Sequence, residues 1–486
     1  MLGLAAAIAG AAILWNARSG GPGQRIDSLA VLPFQNLSGD TDQEYLADGM
    51  TDAITTHLAK IKALRIVSRT SLAHYKGTRK TAPEIARETN VKGVLEGAVG
   101  RAGDRIRISV RLVRATTDQP VWAESYEKEM RDVLSLQDDV AQSIAREIQL
   151  EVTPEKRAKL TSAHPIDPAA YQAYLKGRYF WDRRTRDSVR KAIDSFEQAI
   201  QKDPRYAAAY SGLADCYSSL GFSFDLGTMA PAEVKPKALA AAAQAIALDP
   251  SLAEAHTSLA FIKFTYELDW KGAEAEFERG IALDPRKANG HHWYAHYLIA
   301  GGRTREAEAE SMRALELEPL SPIMNAHLGW HYFYARQYDQ AIEQLGKLLE
   351  LDAHHGLAYW YRGLAFEQKG MYADALREMR RAKDLLPDNV VIDADMGHLQ
   401  ASTGNRAEAR TALAKLQELS KRTYVSAFGP ALIHLGLGER DQALNLLEQA
   451  HREGSDILVY LRVDPRVDVL RQDPRFPNLM RPVGAP

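Results

Sequence analysis

The sequence predicts an α/β amino-terminal domain followed by an all-α superhelical solenoid. Between residues 28 and 155, apolar strand-like runs and amphipathic helices follow the order β-α-β-α-β-β-β-α, which is typical of a sheet with helices packed on it. Between residues 165 and 455, small residues recur every 34 positions, as a stacked array of helical hairpins requires. A chain of 486 residues is also too long for one compact core.

Charge and cysteine content limit the functions that this chain can have. It carries 61 basic and 63 acidic side chains, for a net charge of -2, so no bulk field would draw it to nucleic acid. We therefore expect no nucleic-acid partner. The single cysteine, Cys216, excludes an internal disulfide and any cysteine-based metal cluster.

Residues 1–17 are apolar and predict a membrane anchor. The stretch "MLGLAAAIAGAAILW" contains no charged side chain, and the first one in the chain is Arg18. A helix of 17 residues is about 25 Å long, slightly less than a hydrocarbon core of about 30 Å, so the segment is a borderline or truncated span. A buried Ala-rich helix is the alternative. Residues 18–27 contain three glycines and a proline, which predict a flexible tether.

The first half of the α/β domain (28–155) shows two strands and two helices. "LAVLPF" (29–34) predicts a strand that is buried on both faces, and "LRIVSRTS" (64–71) predicts a second strand. Pro83 opens a short helix in "APEIARETN". The longer helix, from Glu44 to Ile61, presents one apolar side, which consists of Leu46, Met50, Ile54 and Leu58.

The second half of this domain predicts three hairpin-linked strands and a closing helix. Apolar and polar residues alternate over residues 91–129, and turn residues stand at Gly103-Asp104 and at 118–120. The closing helix, from Leu134 to Val152, presents an apolar side made of Leu136, Val140, Ile144 and Ile148.

The loop between the first strand and the first helix does not predict a catalytic or phosphate-binding loop. It has one glycine, Gly39, and places Asp40, Asp42 and Glu44 at the start of the helix. These carboxylates complement the helix dipole and would repel a phosphate. We expect Asp42 to be the N-cap of the helix.

Two blocks of this domain carry a family resemblance. Residues 28–77, beginning "SLAVLPFQNLSGDTDQEYLADGM", and residues 94–145, beginning "VLEGAVGRAGDRIRISVRLV", resemble the TolB-like amino-terminal domain. In bacteria that domain lies between a transmembrane segment and tetratricopeptide repeats, often with a winged-helix, kinase or nucleotide cyclase domain ahead of the membrane. The resemblance implies a sensing or interaction half without its output domain, and it supplies no catalytic residues.

The 34-residue period is that of the tetratricopeptide repeat (TPR). Small residues at helix crossings let two helices approach closely, and a proline ends the second helix of each pair. We count about eight repeats between residues 165 and 455, with an insertion "GFSFDLGTMAPAE" in the second, and a helical cap at 456–486 that covers the last repeat. The periodic alanines are Ala273, Ala307, Ala341, Ala375, Ala409 and Ala443.

The first helices of the repeats are expected to line a concave groove that binds a protein or peptide partner. The predicted wall is aromatic with two histidines, so we expect it to hold an extended or helical segment through apolar anchors. Packing between neighbouring repeats is an equally good interpretation for any one of these side chains. The candidates are Thr257, Phe261, Phe264, His292, His296, Trp330, Phe333, Tyr334 and Trp360.

Two histidine pairs raise the question of a metal site. His292 and His296 are four residues apart on one predicted helix, as are His327 and His331. Neither pair carries the glutamate of a zinc protease motif, and "HHWYAHY" supplies no third ligand nearby. We therefore expect no metal and no cofactor.

Together these features predict a membrane-tethered interaction scaffold rather than an enzyme. The sequence contains no phosphate-binding loop, nucleophile elbow or kinase signature. The alternative is the sensory or regulatory half of a transmembrane regulator, kinase or cyclase. Arg18, Arg25, Lys60 and Lys62 weakly favour a cytoplasmic body, whereas the family resemblance favours an inner-membrane protein with a periplasmic body, which we prefer.

Overall fold

The computed structural model describes residues 26–148 and 166–483, apart from 60, 62–63, 68–71, 73–74, 79, 225 and 228. It confirms an α/β domain followed by a helical solenoid. The predicted membrane anchor (1–17) and most of the predicted tether (18–27) lie outside these residues. Within the described part of the chain, no helix combines the length and the apolar character that crossing a bilayer requires.

The amino-terminal domain contains one mixed sheet with the strand order β3-β1-β4-β5-β6, and the short β2 pairs with β4. The strand β1 runs parallel to β3 and to β4, whereas β4, β5 and β6 are antiparallel. The strands are β1 (Ser28–Val31), β2 (Gln35–Asn36), β3 (Arg65–Val67), β4 (Gly93–Ala102), β5 (Arg105–Arg114) and β6 (Gln119–Glu129).

Three helices cover both faces of this sheet. Helices α1 (Glu44–Ala59) and α3 (Val133–Glu147) share one core with the sheet, and α2 (Ala82–Thr89) packs against the other face. The predicted apolar sides of α1 and α3 are buried, because an amphipathic helix must place its apolar stripe against the core. The N-cap prediction was wrong: Asp42 lies within a 3-10 turn, Thr41–Gln43, that leads into α1. Asp40 caps this turn, because its carboxylate accepts a hydrogen bond from the Asp42 N–H at 2.9 Å.

Sixteen helices between residues 168 and 452 form eight consecutive antiparallel hairpins in the described part of the chain. They are α4 (Pro168–Trp181), α5 (Arg186–Lys202), α6 (Ala207–Gly221), α7 (Pro231–Leu248), α8 (Ala253–Ile262), α9 (Trp270–Leu283), α10 (Ala288–Ala300), α11 (Thr304–Leu317), α12 (Pro322–Tyr334), α13 (Tyr338–Leu351), α14 (Gly356–Gln368), α15 (Tyr372–Leu385), α16 (Val390–Ser402), α17 (Arg406–Leu419), α18 (Phe428–Gly436) and α19 (Arg440–Arg452).

Short turns extend the array at two places. A π-helical turn, Lys263–Glu267, continues α8, and the chain after α19 forms two 3-10 turns, Asp456–Tyr460 and Pro465–Leu470. The last helix is α20 (Phe476–Val483).

Small residues at the helix crossings set the spacing of the hairpins. A Cβ atom at Gly329 would lie 2.5 Å from Leu345 Cγ, and one at Gly177 would lie 2.5 Å from the Phe196 ring. Such distances are well inside van der Waals contact, so a larger residue would force the two helices apart. The 34-residue period in the sequence therefore reflects close backbone contact.

The α/β domain packs directly on the first repeat. A Cβ atom at Gly49 in α1 would lie 2.7 Å from Leu175 in α4, so the two helices are in close contact. Gln137 Nε2 in α3 donates a buried hydrogen bond to the Tyr171 hydroxyl at 2.6 Å. Further along the array, Arg286 donates to the carbonyl oxygen of Ile61 at 3.2 Å. These contacts hold the α/β domain against the first four repeats.

Gly329→Ala is expected to lower the unfolding free energy by about 1–3 kcal/mol, because the new methyl group overlaps Leu345. Gly346→Ala in the same hairpin is the matched control. A Cβ there meets only Arg362 at 3.8 Å, so the better helix propensity of Ala should raise stability by up to about 1 kcal/mol. Urea unfolding of both variants measures the two effects. Equal midpoints would show that the crossing at Gly329 is not tightly packed.

Candidate functional site

The aromatic side chains of the first helices form the inner wall of the array, and this wall is buried. It is built by α8 with its π turn, α10, α12 and α14. Each side chain that the sequence placed in a partner groove is at most 5% exposed: Thr257, Phe261, Phe264, His292, His296, Trp330, Phe333, Tyr334 and Trp360. The prediction that these side chains line an open groove was therefore wrong.

The chain itself fills the groove with two segments. Of the predicted insertion, residues 222–230 lie between α6 and α7; from here on these residues, without 225 and 228, are called the insertion, and residues 456–470 are called the tail. The Phe224 ring of the insertion lies 4.8 Å from Trp330 and 5.7 Å from Trp360, measured between ring centroids. Tyr460 of the tail stacks on Tyr334 at 5.1 Å with an interplanar angle of 6°. Phe224 and Tyr460 also touch each other at 5.6 Å, so the two segments meet inside the wall.

Buried polar contacts hold the insertion and the tail together. The Asp456 carboxylate accepts hydrogen bonds from the Ser223 hydroxyl at 2.6 Å and from the Ser223 N–H at 2.8 Å. Burial raises the pKa of the Asp456 carboxyl to about 6, even though both hydrogen bonds favour the ionised form. This contact joins residues that are 233 positions apart in the sequence.

A second polar contact anchors the end of the tail. Arg466 is 6% exposed and donates to Asp464 and to Asp395, each at 2.6 Å. Asp395 lies on α16 and also accepts a hydrogen bond from Trp360 Nε1 at 2.8 Å. The tail thus does more than cover the last repeat, because it reaches the inner wall at α14 and α16.

Four histidines meet in this buried wall. His292 and His296 lie on α10, and His327 and His331 lie on the neighbouring first helix α12. His292 Nε2 is 2.8 Å from His327 Nδ1, and His331 Nε2 is 2.8 Å from His296 Nδ1. His331 Nδ1 is hydrogen-bonded to Ser311 Oγ of α11 at 2.8 Å.

The environment of this histidine cluster keeps its rings neutral. Burial lowers the pKa of His296 to about 3 and moves the pKa values of His292, His327 and His331 well below the usual value. The positive charge of Arg184 acts in the same direction on His292 and His327. Neutral imidazoles keep one nitrogen lone pair each, so every ring can accept a hydrogen bond or bind a metal.

Our expectation that no third ligand lies near a histidine pair was wrong. Nitrogen atoms of His292, His296 and His327 all lie within 4.8 Å of one another. The third histidine comes from the next repeat rather than from the same helix. The sequence did contain the signal, because each pair member recurs 35 residues later, at 292 and 327 and at 296 and 331.

A large open concave space lies elsewhere in the described part of the chain, between the α/β domain and the first helices of the repeats. A cavity of about 1280 Å³ is bounded by α1 and β3 on one side and by the amino-terminal ends of α10, α12 and α14 on the other. Its lining mixes both charges with apolar groups and includes Asp52, Arg65, Arg178, Trp181, Glu254, Lys287, Asn289, Met324 and Leu357. Lys287 and Glu254, both in this lining, form an ion pair at 2.7 Å.

The fold and this arrangement define a TPR protein with an α/β domain docked on its first repeats. A family model described as HilA/YgeH-like transcriptional regulator, second domain, matches residues 24–144, and a tetratricopeptide repeat model matches residues 327–390. The amino-terminal region is thus similar to a domain of bacterial regulators.

Two curated relatives are similar to parts of the chain. A protein of Rhizobium meliloti (strain 1021) named as an adenylate cyclase is 34% identical over 233 residues, which cover 48% of this chain and 39% of that protein. The transcriptional regulator HilA of Salmonella typhimurium is 26% identical over 182 residues, which cover 37% of this chain and 32% of HilA. The chain therefore spans less than half the length of either relative.

Solved TPR structures resemble the array. YrrB, described as a TPR protein with an unusual peptide-binding site, is 22% identical with a TM-score of 0.28, and the match covers 40% of this chain and 94% of YrrB.

Tyr460→Ala is expected to lower the unfolding free energy by about 3–5 kcal/mol, because it removes a fully buried ring that stacks on Tyr334. Tyr372→Ala is the matched control, since Tyr372 is 45% exposed and its loss should change stability by less than about 0.5 kcal/mol. Chemical denaturation of both variants measures the difference. A loss no larger than that of the control would contradict closure of the wall by the tail.

Asp456→Asn should change how stability depends on pH. The folded-state pKa of about 6 exceeds the ordinary unfolded value of about 3.9, so the folded protein holds this proton to higher pH. The stabilising contribution of Asp456 is therefore complete below about pH 4 and is lost as the pH rises through about 6.

As the pH rises from about 4 to about 6, the unfolding free energy of the wild type should fall relative to that of Asp456→Asn by about 1.4 kcal/mol per pH unit. Urea unfolding at four pH values from 4 to 7 measures this difference, and Asp118→Asn makes the same chemical change at an exposed turn. A difference between wild type and Asp456→Asn that is independent of pH would contradict the assignment.

Proposed function

We propose that this chain is the interaction module of a membrane-tethered bacterial regulator, and that its α/β domain and the first helices of its repeats together bind a partner polypeptide. The observation that carries the proposal is the position of the open space. The inner wall that a TPR array usually offers is filled by the insertion and the tail, whereas the cavity beside α1 is open. A partner would therefore be held between the two domains rather than deep inside the solenoid.

The size of the cavity favours a polypeptide over a small metabolite. Pockets for small ligands are typically about 300–1,000 Å³, and this cavity of about 1280 Å³ is larger. The amino-terminal ends of α10, α12 and α14 border the cavity one after another, so an extended segment could contact consecutive repeats. This geometry supports recognition of a chain segment rather than of one compact group.

The chemistry of the lining supports a partner segment that carries both charges. The lining carries both charges: Arg178 is positive, Asp52 is negative, and Lys287 and Glu254 form an ion pair with each other. A partner segment would have to match this arrangement of charges, which confers specificity more than raw affinity. Leu357 and Met324 add apolar area for anchoring.

Regulatory use of this module is supported by its relatives. The match to the second domain of HilA/YgeH-like regulators and the similarity to a protein named as an adenylate cyclase place related segments in longer signalling proteins. The TolB-like resemblance and the apolar residues 1–17 support attachment to the inner membrane with a periplasmic body. In this proposal the module is not itself an enzyme, and partner binding would bias the activity of an attached output domain.

Asn289→Trp is expected to weaken peptide binding at least tenfold, because the indole would occupy part of the cavity that Asn289 lines. The ligand is a peptide selected from a displayed library against the purified full chain, and its dissociation constant is measured by fluorescence anisotropy. Met312→Trp on the outer surface is the matched control, since Met312 is 46% exposed and does not line the cavity. Selected peptides that bind both variants as they bind wild type, or a selection that yields no binder, would overturn the proposal.

A further inference from the structure

The histidine cluster has the composition and geometry of a metal site. Imidazole nitrogen is a preferred ligand of Zn²⁺, Cu²⁺ and Ni²⁺, and three histidines suffice to hold zinc when a fourth position takes water. We propose that His292, His296 and His327 bind one divalent transition-metal ion of the zinc class. The site requires no cysteine, which agrees with a chain whose single thiol, Cys216, lies elsewhere.

The distances between the histidines are close to those that a bound ion requires. Zinc–nitrogen bonds of about 2.0–2.1 Å place tetrahedral ligand nitrogens roughly 3.4 Å apart. The three histidines present nitrogens within 4.8 Å of one another, and their ring centroids are 4.6–5.0 Å apart. The rings would have to rotate about their side-chain bonds to bring these nitrogens to the spacing of zinc ligands.

Two ring nitrogens of the histidine cluster lack a hydrogen-bond partner within the described part of the chain, which indicates that the cluster binds a further group. His292 Nδ1 and His327 Nε2 are buried and have no hydrogen-bond partner among the described residues. Since His292 and His327 also share one hydrogen bond, two neutral rings leave one N–H and one lone pair unmatched. An unpaired buried polar group is destabilising, so a structural role alone does not account for the pair. A bound ion would replace the hydrogen bond between His292 and His327 and would take one lone pair from each ring.

His331 and Ser311 supply the supporting contacts that metal ligands usually have. Metal-binding histidines commonly hydrogen-bond through their second nitrogen, and this contact fixes the ring orientation. His296 Nδ1 is 2.8 Å from His331 Nε2, which leaves His296 Nε2 as its coordinating atom. Ser311 in turn holds His331. We therefore assign His331 and Ser311 as positioning residues rather than ligands.

An ion at this position would link consecutive repeats. Its ligands come from α10 and α12, so one metal would join the fourth and fifth hairpins across the inner wall. Trp330 and Phe222 lie directly beside His296, with ring centroids 5.4 and 6.5 Å away. The ion would therefore stabilise the same wall that the insertion covers.

The test titrates Co²⁺ into the metal-free full chain, follows the visible d–d absorption, and then displaces Co²⁺ with Zn²⁺. We expect one equivalent to bind with the band of a nitrogen-ligated, four-coordinate ion. His327→Gln should lower the affinity at least 100-fold, and Ser311→Ala should lower it about tenfold through the orientation of His331. His354→Gln, in an exposed loop, is the matched control and should bind as wild type does.

X-ray absorption of the wild-type zinc complex keeps the proposal testable if a variant fails to fold. It should show three imidazole nitrogens at 2.0–2.1 Å. Wild-type protein that binds no equivalent of Co²⁺ would overturn the proposal, as would a folded His327→Gln variant with unchanged affinity. An equal loss in His354→Gln would assign the binding to surface histidines and would also overturn it. The cavity proposed for the partner polypeptide is tested separately by Asn289→Trp and does not depend on these results.

Discussion

The structure depends on burial of an aromatic wall by parts of the same chain that are far apart in sequence. An open repeat array is quasi-one-dimensional, because each repeat touches only its neighbours. Here Phe224, in the second hairpin, contacts Trp330 in the fifth and Trp360 in the sixth, and Tyr460 from beyond the last hairpin joins them. These contacts tie distant repeats into one cooperative unit, so the loss of one ring at the centre affects the whole array.

The elements of the fold were predictable because they rest on local patterns. The period of 34 marks close helix crossings such as Gly329 on Leu345, and the apolar side of α1 marks the core of the α/β domain. What fills the inside of the solenoid was not predictable from that period. An aromatic side chain on a first helix can meet a partner or the chain itself, and the repeat pattern is identical in both cases. The informative residues were Phe222, Phe224 and Tyr460. They lie in segments outside the regular helices, and a segment of that kind is rarely so apolar when it is exposed to solvent.

The histidine cluster shows a second limit of prediction from sequence, which arises when each helix is considered by itself. The spacing of residues within each helix revealed the histidine pairs on α10 and α12. It did not reveal that the two pairs contact each other. Neighbouring first helices meet with an offset of 35 residues rather than 34. The hydrogen bonds between His292 and His327, between His296 and His331, and between Trp360 and Asp395 all show this offset. This stagger is a property of how hairpins stack, so it becomes visible only when helices are considered in pairs.

Buried charge explains why the tail occupies one position rather than many. An apolar segment could slide along an aromatic wall with little loss of burial, because the hydrophobic effect has no direction. Arg466 between Asp464 and Asp395, and Asp456 on Ser223, can be satisfied only in one register. Burying these groups contributes little net stability, since desolvation offsets the attraction between them. Their contribution is specificity, because they hold the tail at one position on the wall.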